Sequence, residues 1–142
     1  MQLDGLGSIH AQVAIVPQVA TNSDSAIAGQ LVALPMAQSH TVIIALGTIT
    51  DANVTAAVAV THGDLADGSD QTAVPADQLV GTLTGAGFTF ASDINVRKIG
   101  YLGLKKYLRV TVTPTGNDAG SLPIAAVLVS TGLRKTAFSQ SA

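Results

Sequence analysis

A chain of 142 residues is one domain by size and buries roughly two thirds of the surface it exposes when unfolded, so it needs no covalent staple. It has no cysteine, which excludes a disulfide framework, a thiol nucleophile and a cysteine-bound zinc. The formal charge of −2 conceals a polarity: residues 1–96 hold eight Asp and no Lys or Arg, a formal −8, while residues 97–142 hold all seven basic residues and one Asp, a formal +6. Opposite charge on two parts of one chain suits like-for-unlike assembly.

All nine acidic residues are Asp. Asp belongs to turns and caps whereas Glu builds helix surfaces, and with abundant Val and Thr this imbalance predicts an all-β domain. The Ala-rich segments 53–60 and 123–129 fit a buried helix by periodicity, but they are short, bounded by turns and rich in β-branched residues, which reads as strand.

In chain order, residues 9–16 alternate, with Ile9, Ala11, Val13 and Ile15 on one face, and Pro17 is expected to end this first strand. A polar stretch precedes residues 26–34, which Pro35 closes. Residues 40–46 are apolar on both faces and read as a central strand. After a turn at 50–53, Val54, Ala56, Val58 and Val60 line one face of a half-buried strand. Residues 62–75, with Asp64, Asp67, Gly68 and Asp70, read as a long exposed loop. Residues 78–84 follow, then a glycine-rich corner at 85–87 and a short segment at 88–91. Residues 94–99 are expected to pair with 104–113 as a hairpin, Gly100 and Gly103 supplying positive φ in the turn between them. A second turn-rich loop, 114–123, leads to the last strand at 123–130.

About eight strands separated by turn signals predict a jelly-roll-like antiparallel β-sandwich, one domain over residues 1–142 with candidate extended arms at 1–8 and 136–142. The longest apolar run, 124–129, is six residues and the N-terminal stretch carries no positive charge, so neither a bilayer span nor a secretory leader is expected.

Chemistry-bearing patterns are sparse. Asp64, Asp67 and Asp70 could attract a hard cation, but their spacing of three does not match an EF-hand loop and no Glu closes the shell, which favours a solvated turn. His10, His40 and His62 are dispersed and show no metal spacing; His10 and His40 are expected on outward faces of strands. There is no Gly-x-Ser-x-Gly elbow and no phosphate-binding glycine loop, and the glycines between 81 and 87 have the wrong spacing. No catalytic residue, cofactor or metal is expected, and a binding role is favoured over an enzymatic one. The cations Arg97, Lys98, Lys105, Lys106, Arg109, Arg134 and Lys135 make the candidate interface set. Net negative charge argues against nucleic acid, as does the alternation of the cations, which puts them on both faces. That leaves a protected strand edge or a protein interface. Five aromatic residues and no Trp leave few platforms for a sugar ring.

Two stretches carry a family likeness. Val96-Arg97-Lys98-Ile99-Gly100-Tyr101-Leu102-Gly103-Leu104-Lys105-Lys106-Tyr107-Leu108-Arg109-Val110 matches a pattern V-x-K-I-G-Y-x-G-x-K-x-Y-x-R-V, and residues 124–132 match I-A-A-V-L-V-x-x-G. More loosely, residues 47–52 lead into the strand at 54–60 in a similar way. In these respects the chain resembles the capsid cement, or decoration, proteins of tailed phages. The resemblance implies a virion protein on the outer surface of the capsid, bound over junctions between major capsid protein subunits, as a homodimer, with no nucleic-acid or membrane partner. The competing expectation is a receptor- or glycan-binding sandwich of a virion or cell surface.

Overall fold

In the computed structural model, which describes residues 6–133, strands dominate at 52 % against 10 % helix, so the Ala-rich segments are strands. The elements are β1 (Ile9–Thr21), β2 (Ile27–Ala28), β3 (Val32–Ala33), β4 (Ser39–Leu46), β5 (Thr55–Gly63), β6 (Thr72–Ala73), β7 (Leu79–Val80), the single helical turn α1 (Leu83–Ala86), β8 (Phe88–Thr89), β9 (Val96–Tyr101), β10 (Tyr107–Thr115) and β11 (Ser121–Thr131). One antiparallel sheet runs β1-β11-β4-β9-β7. The other runs β2-β10-β5-β6, with β3 also on β10 and β8 also on β5. β2 and β3 are two pieces of one strand beside β10, and once the two-residue β6, β7 and β8 are set aside seven strands remain, close to the number expected. Their interleaving between two sheets is the jelly-roll-like sandwich expected from the turn spacing.

Period-two patterning builds the interior. Val42, Ile44 and Leu46 of β4, Ile99 and Tyr101 of β9, and Leu122, Ile124, Ala126 and Leu128 of β11 face Ala56, Val58 and Val60 of β5 and Leu108, Val110 and Val112 of β10. The central position of β4 follows from its place between β11 and β9.

Three expectations are corrected. The first strand does not end at Pro17 but continues to Thr21. β1 is the outer strand of its sheet, and its pairing with β11 shifts register between Val13 and Ile15 and again between Ile15 and Gln18, so a proline with no amide to donate is accommodated there. The hairpin between residues 94–99 and 104–113 does not form: β9 pairs with β4 and β7, β10 pairs with β5, and the chain between Tyr101 and Tyr107 arches from one sheet to the other. Tyr101 continues β9 and is buried, which carries the strand past the expected turn. Neither Gly100 nor Gly103 has positive φ. They serve close approach instead: a Cβ on Gly100 would lie 2.9 Å from the Val80 Cβ, and one on Gly103 would collide with the Tyr101 phenol. Thirdly, the loop expected over 62–75 is interrupted by β6 and begins with His62 still inside β5. Of the arms, residues 6–8 form a 3-10 turn rather than an extended piece. The rest of the N-terminal arm and the arm at 136–142 lie outside the described residues.

Candidate functional site

The two sheets present different outer faces. On the sheet of β10 and β5 the outward positions are mostly Thr55, Thr61, Thr111 and Thr113, with Arg109 among them, a solvated polar surface. On the five-stranded sheet the register aligns Ala11, Val129, Thr41, Gly100 and Val80 in one row. The next rows are Val13, Val127, Ile43 and Lys98, then Ala125, Ala45 and Val96, then Val19 and Pro123. Val13, Val19, Val80 and Val96 are each at least half exposed. Lys98 is the one charge at these outward positions. Strand spacing and rise make this face about 500–600 Å², the size of the largest apolar patches of soluble domains and close to the roughly 800 Å² per partner of a standard interface.

The five cations among the described residues do not form one patch. Arg97 lies on the inner row of β9, opposite Ile44, and Lys98 on the outer apolar face, opposite Ile43. Lys105 sits in the inter-sheet arch, its Nζ 2.8 Å from the Asp64 carboxylate, and Lys106 adjoins it with its amide donating to the same carboxylate at 3.3 Å. Arg109 is on the outer face of the other sheet, opposite Thr61 and close to Gly68 of the acidic loop. Arg134 and Lys135 lie outside the described residues. Since β9 and β10 belong to different sheets, the alternation of cations along the sequence distributes them over three surfaces.

Sequence reading missed the polar cluster at the end of the sandwich where the arch crosses. Tyr101 Oη receives the Lys105 amide at 3.3 Å and lies 2.8 Å from His62 Nδ1. The assignment that uses each group once has the Tyr101 hydroxyl donating to neutral His62. His10 and His40, both expected to face outward, instead lie in one inner row with Ser130 and Tyr101, the His40 Nδ1 2.8 Å from Ser130 Oγ and its ring 6.4 Å from that of Tyr101. The available signal was period two: Val58, Val60 and His62 share one face of β5. Two leucines cap the arch, and Leu104 is 98 % exposed, an apolar side chain with no packing role inside the fold.

Burial holds both His40 and His62 below the ordinary imidazole range, and the positive Lys105 adds to the effect on His62. Each therefore binds its proton more weakly in the folded chain, so the unfolded chain protonates first. Their contribution is full above pH about 6.5 and is lost as pH falls below it. Asp51, held low first by the Asn53 amide and then by that of Ala119, Asp64, held low by Lys105, and Asp67, held low by the Ser69 amide and hydroxyl, add stability that is lost below pH about 4. The expected result is a melting temperature that declines in two stages on acidification. A flat value between pH about 7 and 5 in thermal denaturation would contradict the histidine part.

The acidic loop folds on itself. Asp70 accepts the amides of Asp64 and Leu65 at 2.7 and 3.2 Å, and Asp67 accepts both the amide and hydroxyl of Ser69. Among the described residues no group of three His, Asp or similar ligands is gathered as for a metal ion. No helix among them is long and apolar enough to cross a membrane. Compared with known proteins, the chain matches no family model and no curated sequence.

Proposed function

We propose that this protein is a structural component of a tailed-phage head, a decoration protein that docks on the outside of the shell and cements major capsid protein subunits. The observation that supports the reading is the flat, nearly uncharged outer face of the five-stranded sheet. The two stretches that carry the family likeness supply the strands on either side of the central β4: β9 contributes Val96, Lys98 and Gly100 to that face, and β11 contributes Ala125, Val127 and Val129. The mechanism is binding and involves no bond-making chemistry.

Small side chains let the surface of the shell approach closely, and the reading includes a homodimer, the commonest closed assembly. Bridging makes modest contacts sufficient. A micromolar contact is worth about 8 kcal/mol, and a second contact made by the same molecule gains from its effective concentration.

The test is to add purified protein to undecorated, expanded heads, count bound copies, and apply osmotic shock or heat. Saturation of a regular set of sites and a higher bursting threshold are expected. Heads that bind copies yet burst at the bare threshold would leave decoration without cementing. Absence of binding, with capture instead by cell-surface glycan, would favour the receptor-binding alternative.

A further inference from the structure

We propose that Arg97 and Ser92 form a binding site for a carboxylate carried on a short apolar stem. The inward row of β9 runs Arg97, Ile99, Tyr101, and the last two are core. The same row therefore delivers the Arg97 guanidinium between the sheets, where β9 faces β5. It lines a cavity of about 440 Å³ whose other walls include the buried Ala56, Val58 and Phe88 and the exposed Thr84.

Donors outnumber acceptors there. Arg97 Nη2 donates to Ser92 Oγ at 2.7 Å, while Arg97 Nε is shielded from solvent and has no acceptor. Ser92, 4 % exposed, receives two N–H groups, from Arg97 and from the Thr89 amide at 3.3 Å, so its own hydroxyl proton is left to donate, and no protein acceptor takes it. Among the described residues the one ion pair is Lys105 with Asp64, so Arg97 has no carboxylate partner. A half-buried cation beside a second unengaged donor fits an anion with two acceptor oxygens, and the planar guanidinium matches a carboxylate or a phosphate. Charge selects the carboxylate: among the described residues Arg97 is the only cation lining the cavity, which neutralises a monoanion and leaves a phosphate dianion half compensated. The apolar wall then accepts the hydrocarbon stem.

The carboxylate belongs either to a free short-chain acid or to a glutamate side chain of a docked protein segment. Protein labelled with ¹⁵N at arginine is titrated with sodium butyrate and with N-acetylglutamate methylamide, following the Arg97 Nε–H resonance. Sodium chloride, inorganic phosphate and butyramide serve as controls. The expected result is a saturable shift with a millimolar dissociation constant, accompanied by a rise in melting temperature through mass action. Butyramide should give no such shift and phosphate a weaker one. Tighter binding of the glutamate derivative assigns the site to a protein segment, and tighter binding of butyrate assigns it to a free acid. Arg97→Gln and Ser92→Ala should each weaken binding more than tenfold. Because Arg97 also holds Ser92, the wild-type titration decides even if these variants do not fold. A shift that does not saturate, or that chloride reproduces at equal ionic strength, overturns the proposal.

Discussion

Val127→Asp is expected to abolish docking while the sandwich remains folded. Val127 lies in the middle of the apolar face, paired with Val13 on one side and Ile43 on the other. In the free protein an aspartate there reaches water, and the cost is the lost strand preference, about 1 kcal/mol. In a closed interface the carboxylate is buried, and Lys98 stands two strands away along the same row, too far to pair. An uncompensated buried charge costs about 3–5 kcal/mol, which is two to three orders of magnitude in affinity. Copies bound per head and the sedimentation profile both measure the effect, and Thr113→Asp on the outer face of the other sheet is the matched control. If the two variants bind alike, the five-stranded face is not the docking face.

The largest loss of stability is expected at Tyr101. Its ring is 2 % exposed and its hydroxyl joins three pieces of chain: β9, which carries it, His62 of β5, and the Lys105 amide of the arch. Tyr101→Phe keeps the ring but leaves a buried imidazole nitrogen and an amide without a partner, at about 1–3 kcal/mol. Tyr101→Ala also opens a cavity against Gly103 and the core, for a total of about 3–5 kcal/mol. Urea denaturation with an unchanged m-value should give both figures in that order. An alanine variant no less stable than the phenylalanine variant would show that the ring contributes nothing beyond its hydroxyl.

Much of the architecture was legible because period-two patterning is a local property. Val54 to Val60 and Leu122 to Leu128 announce their buried faces without reference to any partner. Strand pairing was not legible in the same way. Residues 94–113 look like a hairpin because two strand-like runs flank two glycines, yet a tight turn and an arch between sheets use the same residues. What separates them is whether Tyr101 points into a core that distant strands build. The proline at 17 misled for a related reason: a missing amide breaks a central strand and is harmless on an outer one, and position in the sheet is set by β11, more than 100 residues later. The alternation of the cations was expected to put them on both faces of one hairpin; with β9 and β10 in different sheets, Arg97 and Lys98 are separated from Arg109 altogether. The site around Arg97 had no sequence signature: Ser92 stands five residues before it in a 3-10 turn, and Val58 reaches it only through the packing of β5 against β9.

The placement of β11 governs how the molecule comes into being. β11, the last of the described strands in chain order, fills the slot between β1 and β4, and among the described residues β1 has no other neighbour in its sheet. A growing chain therefore holds a thirteen-residue strand without its sheet partner and a β4 open on one side until β11 has been made. The five-stranded sheet cannot close piece by piece; it waits for β11 and then forms through contacts between distant parts of the chain, on the millisecond-to-second scale of such topologies. Throughout that wait two open strand edges are exposed to neighbouring copies, and β11 of one chain fits the vacant slot of another as well as its own. Rapid synthesis at high local concentration thus favours strand exchange between molecules, while slower production gives each chain time to close on itself.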